Sequence, residues 1–340
     1  MEYQKTRELL ARTGLDISYS IAEKINSIPR TERVGKMESV LKSGEESRWA
    51  KKSDVIAERI GMDYLKTLSE NLETKIIMVV SPKDGKTYEI GNYTKNKPIY
   101  CEHDSIDGTS ILDGVGNENG IYRIGSNGHY GTSTAFTMPT EKDFSKVTID
   151  DFEVSAMIEA NPPVYRNHPV NAVAYKKDER LQTFEWDKET NKYHKLGMSS
   201  QENFSQSALV LDSLQAFDRF SNNLEMEQLA YDTYKVLSNR NEGGAFDVTR
   251  TYARVSDLLG ELFERKEGNI QPRATALVCI NDNIGNMVSM TSVVKGTGGH
   301  VVDFDGNDIG KKKIVDNRQH IVVASNEKIK DHILSKIKSI

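Results

Sequence analysis

Two aspartates three residues apart form the segment of this sequence best suited to chemistry. Asp104 and Asp107 lie in the run DSIDGTS, which follows the stretch KPIYCEH, a predicted strand. A strand that ends in a turn can direct both carboxylates to one point, and Mg²⁺ prefers such oxygen-rich surroundings. The amides of Gly108, Thr109 and Ser110 could bind a substrate phosphate if a helix starts there. The alternative is a β-turn in which the aspartates cap a helix without any metal.

Two helices and a buried strand are predicted ahead of this motif. Apolar residues recur three and four apart within residues 6–28 and again after Ser53, a good N-cap with Asp54 in the first turn. The continuously apolar run from Ile76 to Val80 predicts the strand, and residues 81–85 predict the turn that closes it. These elements must position the two aspartates.

Strands and helices alternate along the rest of the chain. Residues 128–186 are rich in predicted strands, with a charged hairpin tip at EWDKETNKYH. A helix is expected from Ala245 to Arg265, after the break at Gly243 and Gly244. The other predicted elements are the strands ALVLDSL, TALVCI, HVVDFDG and QHIVVAS and the helices LEMEQLAYDTYKVL, MVSMTSVVK and EKIKDHILSKIKSI. This alternation indicates layered helices and sheets with mixed strand order.

The composition is that of a soluble globular protein. The chain has 340 residues, a formal net charge of -5 and 37% hydrophobic residues. No apolar stretch approaches the roughly 20 residues of a membrane span, and the amino terminus lacks a secretory pattern. Two cysteines, Cys101 and Cys279, cannot build a disulfide framework or a four-ligand zinc site. The acidic balance argues against nucleic acid as a partner. We therefore expect a cytoplasmic protein, either an enzyme or a degenerate relative of one.

DSIDGTS resembles the DPIDGT signature of the inositol monophosphatase and fructose-1,6-bisphosphatase superfamily of Mg²⁺-dependent, often Li⁺-sensitive phosphatases. The run MVSMTSVVKGTGGHVVDFDGND is similar to the carboxyl-terminal helix, Gly-Gly and Asp-Gly hairpin of that family, and GGAFDVTRTYARVSDLLGELFER resembles the helix before it. The matches occur in the family's order and span roughly residues 50–310. The resemblance implies an α+β fold, a layered αβαβα sandwich. Residues 1–205 would form the half with the motif, and residues 206–340 would complete the cleft.

The resemblance also implies roles for individual residues. Asp104, the carbonyl of Ile106 and Asp107 fall where the family binds Mg²⁺, for which Mn²⁺ is an alternative. Thr109 falls where the family's threonine helps to activate the attacking water and holds phosphate. Asp54 resembles an acidic position of related bacterial sugar bisphosphatases and would orient Thr109. Its alternative role is a favourable charge in the first turn of a helix.

The sequence departs from the family upstream of the motif. The family places a metal-binding glutamate at the end of a strand, whereas here the strand runs into Ser81 and Pro82. Glu89 and Asp84 are the nearest acidic residues, and both stand at the wrong register. A literal GEES at residues 44–47 is out of order.

A second departure lies before the carboxyl-terminal helix. Counted back from the Gly-Gly pair, the position of the family's aspartate is occupied by Asn286. An amide oxygen can bind a cation but brings no negative charge. Asp282 could substitute if the loop shifts. We therefore expect the second metal site to be weak, or to be completed by substrate.

The function expected from this resemblance is that of a Mg²⁺-dependent phosphomonoesterase. Its substrate would be an inositol, sugar or nucleotide phosphate, attacked by metal-activated water. The alternative is a catalytically degenerate relative that binds a phosphorylated ligand or a protein. A homodimer is what the resemblance implies, and the sequence does not specify the substrate.

Overall fold

A computed structural model describes most of the chain. The described residues are 2–28, 36–38, 49–81, 86–107, 131–159, 170–187, 190–212, 224–238, 245–249, 259–261, 274–316 and 318–340. The following account is confined to them.

The described residues form helices, strands and short 3₁₀ turns. The α-helices are α1 (Glu2–Ser27), α2 (Lys52–Leu72), α3 (Leu224–Leu237), α4 (Val288–Gly296) and α5 (Glu327–Ile337). The strands are β1 (Lys36–Glu38), β2 (Trp49–Lys51), β3 (Ile76–Ser81), β4 (Lys86–Ile90), β5 (Ile99–Asp107), β6 (Gly131–Thr137), β7 (Phe152–Glu159), β8 (Asn171–Lys177), β9 (Arg180–Asp187), β10 (Lys192–Met198), β11 (Ala208–Asp212), β12 (Ala245–Thr249), β13 (Leu259–Glu261), β14 (Ala276–Asp282), β15 (His300–Asp303) and β16 (Gln319–Ala324).

Two mixed sheets organise the molecule. The larger sheet has nine strands in the order β13-β10-β9-β8-β7-β6-β5-β3-β4, and all neighbours are antiparallel except β3 and β5. The smaller sheet has five strands in the order β12-β11-β14-β16-β15, with β11 parallel to both of its neighbours. β1 and β2 form a separate antiparallel pair.

The molecule has five layers, which pack against one another through three apolar cores. α1 and α2 cover one face of the larger sheet, and α4 lies between the two sheets. α3 and α5 cover the outer face of the smaller sheet. The core around α4, which we call the central core, joins the facing sides of both sheets. This arrangement confirms the predicted αβαβα sandwich, because each sheet face with apolar side chains must be covered by another layer.

Most of the predicted elements are present, and one is wrong. The helix expected from Ala245 to Arg265 is replaced, where the chain is described, by the strands β12 and β13. β12 extends the smaller sheet beside β11, and β13 pairs with β10 in the larger sheet. Ser53 lies inside α2, which begins at Lys52, so it is not the N-cap that the sequence predicted. The division at residue 205 stays a prediction.

The Asp-Gly hairpin that the resemblance implies at DFDGND is present as a tight turn. Asp303 and Asn307 close it through a backbone hydrogen bond, and Gly306 adopts a positive φ of 88° that suits glycine. Among the helices that are described, none is long and apolar enough to cross a membrane.

Candidate metal and phosphate site

β5 carries the two aspartates of the motif at its carboxyl end. The strand runs to Asp107, so both residues belong to the strand rather than to a turn after it. Its register against β6 shifts between Asp104 and Asp107, as at a β-bulge. The shift changes the face that the side chains occupy: Tyr100 packs in the central core, whereas Ile106 packs under α1 and α2. Because side chains alternate along a strand, Asp104 lies on the face of Tyr100.

His103 points away from this face, toward α2. Its Nδ1 donates to the Ser133 carbonyl oxygen at 3.1 Å and lies 2.9 Å from Oγ1 of Thr134. Burial lowers the pKa of His103 to about 4, against the raising effect of the Ser133 hydrogen bond, so the ring is neutral.

β14 brings a carboxylate from the smaller sheet. Asp282 is the last residue of β14 and is 3% exposed. The register against β16 shifts just before it, and Asn281 has a left-handed φ of 57°. The end of β14 therefore leaves the regular pleat. Asp282 lies close enough to Asp104 for their charges to interact. The sequence offered Asp282 as a substitute ligand, and that role stays a prediction.

Burial and like charge disfavour ionisation of Asp282 and Glu102. Burial raises the pKa of Asp282 to about 6, and the charge of Asp104 adds to the increase. Two effects lower the pKa of Asp282. The backbone N–H of Asn283 donates to its Oδ1 at 2.7 Å, and the charge of Arg318 favours the ionised form. Burial and then the charge of Asp104 also raise the pKa of Glu102 well above its usual range. Carboxyl groups from both sheets thus lie close enough to affect the ionisation of one another.

The sequence did not single out Glu102. It stands two residues before Asp104 and therefore shares its face of β5, and it is 6% exposed. The sequence feature that could have indicated Glu102 is its charge, since the rest of the stretch PIYCEH is uncharged and this position should face a core. A buried strand rarely carries such a residue without a function or a partner.

Several predicted site residues cannot be placed. Gly108, Thr109 and Ser110 lie outside the described residues. Asp107 and Asn286 have a described backbone, in β5 and in the 3₁₀ turn Gly285–Met287, but their side chains are not described. Their roles therefore stay predictions.

The remaining acidic candidates are distributed around α2 and β4. Asp54 lies in the first turn of α2, as expected. Glu89 is an exposed residue of β4 that pairs with Lys75 at 2.8 Å, so it does not replace the missing upstream glutamate. Asp84 and residues 44–47 lie outside the described part of the chain.

The amino terminus of α4 follows the carboxylate of β14 closely. The 3₁₀ turn Gly285–Met287 leads directly into α4, whose backbone N–H groups at this end favour anions. The arrangement therefore places a cation-attracting group and an anion-attracting helix end within a few residues of each other.

The donor set fits a hard divalent cation. The candidate donors are oxygen atoms, which Mg²⁺ and Mn²⁺ prefer. Oε2 of Glu102 is buried without a hydrogen-bond partner among the described residues, and Asp104 and Asp282 repel each other. A cation would relieve both conditions. Within the described residues, no group of three or more histidine, cysteine, aspartate or glutamate side chains is placed so that it could hold a metal ion.

Comparison with solved structures places the fold. No family model matches the chain, and no curated protein sequence does. The structure is similar to fructose-1,6-bisphosphatase of Leishmania major in its holo form, with a TM-score of 0.61 and 11% identity over 97% of this chain and 93% of that one. It is similar to the extragenic suppressor protein suhB of Bartonella henselae, with a TM-score of 0.58 and 13% identity over 98% of both chains. An inositol monophosphatase of Anabaena matches with a TM-score of 0.55 and 11% identity over 100% and 98%.

These similarities extend over nearly the whole of each chain. The protein therefore has the fold of the inositol monophosphatase and fructose-1,6-bisphosphatase superfamily, and the resemblance seen in the sequence is confirmed at the level of the fold.

Proposed function

We propose that the chain is a phosphomonoesterase that hydrolyses a small phosphorylated metabolite with the help of Mg²⁺ or Mn²⁺. The observation that carries the proposal is that Asp104 and the buried Asp282, which come from different sheets, lie close enough for their charges to interact. A buried carboxyl group whose pKa is raised beside a second carboxylate is an arrangement that concentrates at functional sites. Two of the three solved structures that share the fold are named as phosphatases, which supports the same class of reaction.

The residues that would hold the cation come from two sheets. Asp104, the carbonyl of Ile106 and Asp107 would bind it from β5. Asp282 would bind it from β14, together with or in place of Asn286. A divalent cation bound there would lower the pKa of water, so that hydroxide would be available to attack at neutral pH. It would also neutralise charge on the phosphate oxygens.

The other predicted residues would position the reactants. The amides of Gly108, Thr109 and Ser110 would hold the phosphate, and the Thr109 hydroxyl, oriented by Asp54, would place the attacking water. Water adds to phosphorus, the bond from phosphorus to the ester oxygen breaks, and the leaving oxygen takes a proton. The products are inorganic phosphate and an alcohol, which is an inositol, a sugar or a nucleoside.

The test is phosphate release measured against Mg²⁺ concentration. The wild type should hydrolyse p-nitrophenyl phosphate or a member of a panel of inositol, sugar and nucleotide phosphates, and only with Mg²⁺ or Mn²⁺. Asp107→Asn should reduce kcat by at least about 100-fold, because a metal ligand loses its charge. Asp63→Asn is the control, since Asp63 is an exposed residue of α2, and it should leave kcat unchanged. Unchanged hydrolysis by Asp107→Asn would refute the assignment.

A second candidate function is binding of a phosphorylated ligand without hydrolysis. It is favoured by the end of β3, which stops at Ser81 without an acidic residue, and by Glu89, which pairs with Lys75 instead. If the wild type binds Mg²⁺ and a sugar phosphate but releases no phosphate from the panel, this second function is the correct one.

A further inference from the structure

We propose that Glu102 is a ligand of the divalent cation and supplies the carboxylate that is missing at the end of β3. The proposal rests on the proposed function only in requiring that a divalent cation binds beside Asp104. It assigns to the metal a residue that lies within β5, two positions ahead of the motif.

The register of β5 fixes the direction of the Glu102 side chain. Its neighbour on β6 is Ala135 and its neighbour on β3 is Val79, and both pack in the central core. Cross-strand neighbours lie on the same face of a sheet, so Glu102 also points between the two sheets. Cys101, the residue before it, packs under the outer helices instead.

These neighbours cannot satisfy a carboxylate. Glu102 is 6% exposed, and its Oε2 has no hydrogen-bond partner among the described residues. A buried carboxylate with an unsatisfied oxygen costs several kcal/mol, roughly, unless a charge or a hydrogen bond compensates it. Apolar side chains flank Glu102 on both neighbouring strands, so we expect the compensating group on the side of Asp104.

Ser133 supplies an independent indication of a ligand at the same place. It lies directly opposite Asp104 on β6 and is 1% exposed. Its Oγ is also buried without a hydrogen-bond partner in the part of the chain that is described. A hydroxyl and a carboxylate oxygen, both unsatisfied and both beside Asp104, suit a cation with its coordinated water better than an apolar core.

Two roles of Glu102 predict opposite consequences of making it neutral. If Glu102 is a protonated structural residue, Glu102→Gln leaves cation binding unchanged. If Glu102 is a ligand, the same change keeps the size of the side chain and removes a charge that only the cation compensates. The metal-free protein should then be at least as stable as the wild type, while its affinity for the cation falls.

The experiment is calorimetric titration of the full chain with MgCl₂ and with MnCl₂ alone, combined with thermal unfolding in EDTA and in each metal. We expect Glu102→Gln to raise the dissociation constant at least about tenfold and to lose most of the rise in Tm that the metal gives the wild type. Its Tm in EDTA should equal or exceed that of the wild type. Glu102→Asp keeps the charge but is one methylene shorter. Its dissociation constant should lie between those of the wild type and Glu102→Gln.

Glu89→Gln is the matched control, because Glu89 is an exposed glutamate of the adjacent hairpin. It should bind Mg²⁺ as the wild type does. Equal affinity of Glu102→Gln and the wild type would overturn the proposal, as would a wild type that binds neither cation. Metal binding that depends on Glu102 without phosphate release would refute the proposed function alone. Phosphate release with unchanged metal affinity in Glu102→Gln would refute the role of Glu102 alone.

Discussion

Gly61 is the residue at which α2 approaches the strand of the two aspartates. A Cβ atom at Gly61 would lie 2.6 Å from Nε2 of His103, well inside van der Waals contact. His103 has little freedom to move, because its Nδ1 is held by the Ser133 carbonyl and is within reach of Thr134. The absence of a side chain at Gly61 therefore sets the distance between α2, which carries Asp54, and β5, which carries Asp104.

Gly61→Ala should destabilise the protein by about 1–3 kcal/mol through overpacking. The sign of this change in stability is informative, because replacing glycine by alanine within a helix otherwise adds about 1 kcal/mol of stability. Urea unfolding measures the difference. Thr67→Ala, at an exposed position of the same helix, should gain a few tenths of a kcal/mol, roughly, from helix propensity. A Gly61→Ala protein more stable than the wild type would show that His103 moves aside freely.

At the scale of elements, α1 is fixed to the larger sheet by a half-buried ion cluster. Nη2 of Arg7 lies 2.7 Å from Oε2 of Glu153 on β7, and Nζ of Lys176 on β8 lies 2.7 Å from Oε1 of the same carboxylate. Burial alone would raise the pKa of Glu153, but the hydrogen bonds and charges of Lys176 and Arg7 outweigh it and lower this pKa. The cluster ties one helix to two adjacent strands.

Glu153→Gln should lower the free energy of unfolding by about 2–3 kcal/mol, because two cations lose their common partner and Arg7 is buried. Denaturant unfolding at neutral pH measures this loss. Glu179→Gln is the matched control: Glu179 also contacts Arg7, at 3.5 Å, but its side chain is 84% exposed. It should change stability by less than about 0.5 kcal/mol. Equal losses in the two variants would mean that burial does not decide the strength of the contact.

The elements also show how far local pattern predicts this fold. The helices α1, α4 and α5 were predicted correctly because apolar residues recur along each of them at helical spacing. β12 was predicted as helix because its run, AFDVT, is short and precedes a longer stretch with helical spacing. Its parallel pairing with β11 decides the outcome, and that pairing is a contact made across the fold.

At the scale of the whole molecule, local pattern again predicts only part of the candidate site. The spacing of Asp104 and Asp107 at the end of a strand is a local feature, so the sequence predicts the position of these two residues. The meeting of Asp104 with Asp282 depends on two sheets facing each other across α4, which no spacing within one segment encodes. The sequence could name Asp282 only as an alternative, because the register shift in β14 that redirects it is not visible in the residue pattern.

Acid stability depends on carboxylates in different parts of the molecule. Glu153 forms ion pairs on the larger sheet, and Asp303 stabilises the turn at the end of β15 in the smaller sheet. Burial alone would raise the pKa of Asp303, but hydrogen bonds from Asn307, at 2.8 Å and 3.1 Å, and the ion pair with Lys312 lower it. A carboxyl group whose pKa is lower in the folded than in the unfolded chain adds stability above its unfolded pKa, about 3.9 for aspartate. That stability disappears as the pH falls through the folded pKa.

Asp303→Asn should therefore destabilise the protein at pH 7, and its effect should shrink as the pH falls from the unfolded pKa of about 3.9 through the lower pKa of the folded carboxyl group. Urea unfolding at a series of pH values between 7 and 3 measures the free-energy difference between the two proteins. Asp305→Asn, at an exposed position of the same turn, should follow the wild-type curve. A difference between Asp303→Asn and the wild type that stays constant from pH 7 to pH 3 would mean that the amide disrupts the turn sterically. The charge of Asp303 would then contribute nothing to joining the turn to Lys312.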